Sequence, residues 1–206
     1  MLMRFMWPNS FCKRRFCFKD YIMMRVIYIG LIALVFIMTA SLALAEDKTS
    51  PSPLNKIHQK IMTDYPKLSH ISRVELEAHL TSGDVLVLDT RPEKEYKVSH
   101  IPGALQLDPK IGSELFLRKF GHALKDKRVV VYCSVGRRSS ILGSRLQNTA
   151  LSAGAISVQN MEGGLFGWHN DNRPLVNASG TTTGIHPYNI FWGRLIKNKD
   201  AIRYRP

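Results

Sequence analysis

The chain has 206 residues, with 29 Lys or Arg against 16 Asp or Glu and a formal net charge of +13. The bases are scattered, with no long run and no nucleic-acid-binding motif. This argues against a nucleic-acid partner and for a solvated face that mildly attracts small anions. The three cysteines, Cys12, Cys17 and Cys133, are too few for a disulfide-stapled scaffold, and the first two lack the His or Cys neighbours of a metal site, so no metal or cofactor is expected.

Residues 1–45 read as an export signal or membrane anchor. They hold six bases (Arg4, Lys13, Arg14, Arg15, Lys19, Arg25) and one acid, Asp20, which leaves +8 on residues 46–206. Val26 to Ala45 carries no charge, and twenty helical residues span about 30 Å, enough to cross a bilayer. The run ends in Ala43-Leu44-Ala45, the spacing of small residues at a signal cleavage site, followed by Glu46-Asp47. With bases before the span and acids after it, the N-terminus is expected to stay in the cytoplasm. Met23 or Met24 followed by Arg25 would open a well-formed signal, so residues 23–45 are expected to export the chain. Met1 to Ile22 is then an upstream extension and Glu46 the mature N-terminus. The alternative is a cytoplasmic stub before an uncleaved inner-membrane anchor. Both readings place the remainder in the periplasm or another extracytoplasmic space, with membrane contact limited to the N-terminal segment. Cys133 would then be the one cysteine exported, and an unpaired thiol kept in an oxidising compartment points to use.

Residues 46–67 read as a linker and a short amphipathic helix, with Leu54, Ile57 and Ile61 on one face. Ser72-Arg73-Val74-Glu75 is a capping box that starts a helix to about Leu80, ended by Thr81-Ser82-Gly83. Asp84–Asp89 is nearly continuous in Val and Leu and predicts a buried strand. A short helix follows from Pro92 to Tyr96, and Pro102-Gly103 turns the chain into a short strand ending near Leu107. A helix is expected over Ser113–Leu124, a strand over Arg128–Tyr132, and a helix from Arg138 to Gln147 with Ile141, Leu142 and Leu146 inward. Ala155–Val158 predicts another strand, and Gly163–Trp168 starts a final helix. This alternation implies an α/β fold, a mostly parallel central sheet with helices on both faces. Ligands of such sheets bind beyond the carboxyl ends of the strands.

Cys133 falls at such an end. The run Val129-Val130-Val131-Tyr132 delivers it into Ser134-Val135-Gly136-Arg137-Arg138-Ser139. The thiolate is the nucleophilic form of cysteine, and backbone N–H groups, a helix N-terminus and guanidinium charge are what favour it. Gly136 suits a turn that a Cβ would obstruct.

The stretch C-S-V-G-R-R resembles the C-x-x-G-x-R active-site loop of rhodanese-like sulfurtransferases. Upstream, Asp89, Arg91, Glu95, Tyr96, His100, Ile101, Gly103 and Ala104 fill a pattern similar to that family's D-x-R-x-x-x-E-[YF]-x-x-x-H-I-x-G-A signature. Glu162–Val176 resembles its closing helix. The resemblance covers residues 68–176, and residues 177–206 form an aromatic and basic C-terminal extension. The extension is expected to dock on the domain through Tyr188, Phe191 and Trp192. The alternative is that His186, Tyr188 or Trp192 lines the mouth of the site.

The resemblance implies a rhodanese-like fold and a sulfurtransferase that needs no cofactor. Cys133 would attack the outer sulfur of a small anionic donor such as thiosulfate, and a thiophilic acceptor would then empty the persulfide. Ser134, Val135, Gly136, Arg137, Arg138 and Ser139 would form the donor-binding cradle, with Arg137 and Arg138 on the anion. Asp89, Arg91, Glu95 and His100 are expected to serve structure, as caps, an ion pair and a turn. Three other readings compete. One is a non-catalytic periplasmic binding module of the same fold. Another is a phosphatase or arsenate reductase, disfavoured because Cys133 and Arg138 enclose four residues where phosphate needs five. The last is a thiol–disulfide oxidoreductase, disfavoured because no resolving cysteine lies nearby.

Overall fold

A five-stranded parallel sheet with helices on both faces forms the body of the computed structural model, which describes residues 52–206. The expected export segment, its cleavage site, Cys12, Cys17 and residues 46–51 of the 46–67 linker lie outside the described residues. Among the described residues, no helix is long and apolar enough to cross a membrane, and no group of His, Cys, Asp or Glu could hold a metal ion.

In chain order the elements are α1 (Pro53–Asp64), β1 (Ser69–Ile71), α2 (Arg73–Ser82), β2 (Val85–Asp89), α3 (Glu93–Val98), β3 (Leu105–Gln106) and α4 (Ser113–Leu124). Then come β4 (Arg128–Tyr132), α5 (Arg137–Ser152), β5 (Ser157–Met161), α6 (Gly164–Asn170), β6 (Leu175–Asn177), β7 (Gly180–Thr182), α7 (Ile190–Gly193) and a 3-10 turn, Lys199–Ala201. The sheet order is β1-β5-β4-β2-β3, with every neighbouring pair parallel, so β4 lies at its centre. Side chains alternate across a strand, and β4 shows the result. Val130 and Tyr132 enter one apolar layer with Leu76, Phe166, Trp168, Ile185 and Ile196, while Val129 and Val131 enter the other with Phe116, Phe120, Leu142 and Leu146. Burial of β4 on both faces explains its unbroken β-branched run.

Local chemistry sets the ends of the elements. The Ser72 hydroxyl accepts from the Glu75 N–H while the Glu75 carboxylate accepts from the Ser72 N–H, so the capping box is complete, and Gly83 ends α2 with φ +72°. Three expectations are corrected. Helix α5 runs to Ser152 and turns through Gly154, φ +95°, so β5 begins at Ser157 instead of Ala155. Ile141 faces solvent at 52% exposure, because the buried stripe of α5 is Ser139, Leu142, Gly143, Leu146 and Ala150. Helix α6 is followed by a β6–β7 hairpin and helix α7, so it is not the final helix.

The C-terminal extension is part of the body. Ile185 pairs with Ile202, and Ile185, Ile196 and Ala201 are buried in the core layer on the Tyr132 side. The Asn170 amide donates to the Leu195 carbonyl at 2.8 Å, and its oxygen accepts from the Lys197 N–H at 2.8 Å.

Candidate functional site

Strand β4 ends at Tyr132, whose carbonyl accepts from the Thr90 N–H (2.9 Å) and hydroxyl (3.0 Å). The next residue, Cys133, is therefore held at the carboxyl end of the central strand, 1% exposed. The loop that follows is fixed from behind. The N–H groups of Leu165 and Phe166, in the first turn of α6, donate to the carbonyls of Cys133 (2.8 Å) and Ser134 (2.9 Å). This approach is so close that a Cβ at Gly164 would lie 2.5 Å from the Cys133 carbonyl oxygen and 2.6 Å from the Val135 nitrogen. Only glycine fits there, and its φ of +57° requires the same residue.

Gly136, φ +95°, turns the loop into α5. Helix α5 has no side-chain cap, so its first N–H groups and the positive end of its dipole are left for an anion. The Ser140 hydroxyl donates to the Gly136 carbonyl at 2.7 Å, and the Ser139 hydroxyl donates to Asn160 Oδ1 at 2.6 Å. These bonds tie the start of α5 to itself and to β5.

Arg138 turns toward helix α3. Its Nη1 and Nη2 donate to the two Glu95 carboxylate oxygens at 3.0 and 2.9 Å, and Nη2 also donates to the Ser134 hydroxyl at 2.9 Å. Glu95 is 1% exposed. Burial would raise its pKa, but Arg138, with Arg91 and His186 nearby, holds it below the ordinary carboxylate value. Burial likewise works against the Arg138 charge, yet Glu95 and the facing Cys133 sulfur hold its pKa above the ordinary value. Behind this pair lies a second, fully buried one. Arg91 Nη2 donates to Asp89 at 2.6 Å and to the Ser99 carbonyl at 2.6 Å, which fixes the segment carrying α3.

The C-terminal extension closes the front. A cavity of about 180 Å³ is lined by Cys133, Ser134, Val135, Arg137, Arg138, Tyr188 and Trp192. The Tyr188 ring lies over the Arg138 guanidinium, 4.7 Å from its centre. Tyr188 has φ +65°, a left-handed conformation that is costly for a residue with a Cβ. Its N–H donates to Nδ1 of His186, which is 3% exposed and whose pKa burial lowers. Asn189 caps α7 by accepting from the Phe191 and Trp192 N–H groups, which sets Trp192 at the cavity.

Of the residues expected to form the cradle, Cys133, Ser134, Val135, Arg137 and Arg138 line this cavity, whereas Gly136 and Ser139 shape the loop without lining it. Arg138 is committed to Glu95, while Arg137 is exposed and, among the described residues, makes no ion pair. Glu95 is expected to serve structure, and it does so through its ion pair with Arg138 at the edge of the site. Tyr188 and Trp192 line the cavity, whereas Phe191, expected to dock, is 69% exposed and His186 is buried without lining it. Gly164 and Asn160 carried no recognisable sequence signal.

A family model described as Rhodanese-like domain matches residues 72–171. The tRNA uridine(34) hydroxylase of Aster yellows witches'-broom phytoplasma (strain AYWB) is 27% identical over 134 residues, 63% of this chain and 42% of that protein. The tRNA uridine(34) hydroxylase of Streptococcus thermophilus (strain ATCC BAA-491 / LMD-9) is 31% identical over 105 residues, 50% of this chain and 31% of that protein. The chain thus spans less than half the length of these relatives. Among solved structures, a thiosulfate sulfurtransferase from Pseudomonas aeruginosa is 22% identical, with a TM-score of 0.44, over 70% of this chain and 26% of that one.

Proposed function

We propose, for a chain whose residues 72–171 belong to the rhodanese-like domain family, that it moves sulfane sulfur through a persulfide on Cys133. One observation carries the reading. A buried cysteine directly follows the central parallel strand, its carbonyl and that of Ser134 are taken up by α6, and the far end of its loop opens an uncapped helix. Such a loop offers N–H donors and a positive helix end to a negatively charged sulfur. The thiolate attacks the outer sulfur of the donor, and the inner part leaves with the bonding electron pair. A thiophilic acceptor then removes the outer sulfur and restores the thiolate. Ser134, Val135, Arg137 and Arg138 border the reacting sulfur, while Gly136 and Ser139 hold the loop in shape. We propose also that residues 23–45 export the protein to an extracytoplasmic space.

Intact mass of the purified protein tests the chemistry. Thiosulfate is expected to add one sulfur atom to Cys133, about 32 Da, removable by cyanide. Cys133→Ser is expected to stay folded, gain no mass and transfer no sulfur. Turnover that survives in Cys133→Ser overturns the assignment.

The names of the curated relatives favour a second reading, hydroxylation of a tRNA uridine by a longer protein of which such a domain is one part. Tight tRNA binding by the purified chain, together with failure of every sulfur donor to change its mass, would put that reading first.

A further inference from the structure

We infer that Tyr188 and Trp192 select the sulfur donor, and that the donor is a monoanion with a small apolar body, R–SO2–S⁻ or R–S–S⁻, in preference to the thiosulfate dianion. The inference rests on the sulfur-transfer reading and adds the class of substrate. Both aromatic residues lie outside residues 72–171, so the selection belongs to this chain's C-terminal extension.

Charge is the first argument. The Arg138 cation is matched by Glu95 through two bonds, and the Tyr188 ring covers a face of the same guanidinium. Arg137 remains as the one lining cation without an ion pair among the described residues. One cation and the partial charge of the α5 N-terminus already face the Cys133 thiolate, so every further negative charge on the donor is poorly matched. A dianion would leave the second charge unpaired beside Val135 and two aromatic rings, and burying an unpaired charge is costly.

Size and surface are the second argument. The cavity holds about 180 Å³, and an apolar cavity of about 150 Å³ in another protein suffices for benzene. Thiosulfate has no apolar part to use the walls that Val135, Tyr188 and Trp192 supply. A donor with one ring-sized group would fill the cavity and stack on an aromatic wall. Backbone strain at Tyr188 is the third argument. Asn189, the next residue, caps α7, and His186 binds the Tyr188 N–H, so the extension holds this ring in place at a conformational cost.

The step balances without an outside oxidant. The Cys133 thiolate forms a bond to the outer sulfur of R–SO2–S⁻. The bond between that sulfur and the sulfonyl sulfur breaks, and its electron pair leaves with the sulfinate, R–SO2⁻. The sulfonyl sulfur is thereby reduced, and the Cys133 sulfur is oxidised to the persulfide level. With R–S–S⁻ the leaving group is the thiolate R–S⁻. Cyanide then accepts the outer sulfur as thiocyanate and regenerates the Cys133 thiolate.

The experiment compares benzenethiosulfonate with thiosulfate as donors, with cyanide as acceptor, and reads the ratio of their kcat/KM values. The unaltered protein is expected to favour benzenethiosulfonate by about tenfold or more, the scale of one well-placed aromatic contact. Tyr188→Asn removes the ring and keeps a residue that tolerates positive φ. Trp192→Leu removes the indole wall and keeps an apolar side chain. Each is expected to lower the ratio several-fold, whereas Phe191→Ala, at an exposed position off the cavity, leaves it unchanged. Circular dichroism confirms that each variant is folded. A ratio near one in the unaltered protein, or one unmoved by both wall variants while Cys133 still gains sulfur, overturns the inference alone. Absence of any mass gain on Cys133 with either donor overturns the sulfur-transfer reading and the inference with it.

Discussion

Replacing Glu95 by Gln separates the ion pair from the chemistry it borders. Glu95 is 1% exposed and accepts from Arg138 twice, at 3.0 and 2.9 Å, and from the Ser134 hydroxyl at 3.3 Å. Removing one partner of a buried ion pair costs about 3–5 kcal/mol. Two features reduce that figure here. The Arg138 side chain is 28% exposed, so its charge regains water, and Gln keeps one carbonyl acceptor worth about 1 kcal/mol. The expected loss is therefore about 2–3 kcal/mol, and at about 2–4 °C per kcal/mol for a domain of this size, Tm should fall by roughly 5–10 °C. A thermal scan at neutral pH measures it. The kinetic effect runs the other way. With the carboxylate gone, the Arg138 charge is uncompensated, so the folded variant should bind thiosulfate more tightly, with a lower KM that rises as salt is added. A Tm within 1–2 °C of the unaltered protein together with an unchanged thiosulfate KM would refute the reasoning, because it would mean that Glu95 neither stabilises the fold nor neutralises Arg138.

Four further outcomes are expected. Gly164→Ala should cost about 3 kcal/mol or more, from a left-handed backbone and a clash with the Cys133 loop. Gly103→Ala, also at positive φ but with no atom within 4 Å of its Cβ, should cost only the strain, and equal losses in urea titrations would contradict this. Burial lowers the pKa values of His186, His70 and His169. The folded state then holds fewer protons than the unfolded one just below the ordinary histidine pKa of about 6.5. Stability is full above that pH and falls as pH drops below it, so Tm should be lower at pH 5.5 than at pH 7.5, and the reverse order would sink the argument. One residue inserted between Gly136 and Arg137 should depress sulfur transfer and improve phosphate binding, and unchanged transfer would show that loop length is not decisive. Material from a periplasmic fraction should begin at Glu46 on N-terminal sequencing, and a membrane-bound form beginning at Met1 or Met23 would establish an anchor instead.

Much of the scaffold was legible because single strong local signals set it. Helix α4 and strand β4 match the expected bounds at both ends, since their apolar periodicities are unbroken. Strand β1 carries no sequence signal, because three residues of mixed polarity, Ser69-His70-Ile71, show no period, and their strand state comes from pairing with β5. Strand β5 was misplaced because Gln159 and Asn160 are polar, and Asn160 is nonetheless buried through its bond from Ser139. At the site, Cys133 and its loop could be read from the strand-to-glycine transition, and Gly136 from its place in that loop. The partners of the loop could not. Glu95 lies 43 residues from Arg138, and Gly164 matters only because α6 packs against a backbone that it meets in three dimensions.

The aromatic residues beside Cys133 bear on the lifetime of any sulfur it would carry. Cys133 is 1% exposed and shares its cavity of about 180 Å³ with Tyr188 and Trp192, which narrows the approach of bulky thiols and disulfides. A persulfide there would be withheld from the general thiol pool and surrendered to acceptors small enough to enter. The same surroundings would slow oxidation of the bare cysteine by large reagents, since the oxidation of cysteine follows its exposure. On the sulfur-transfer reading, the extension would turn a reactive intermediate into a stored one, released by fit instead of by collision.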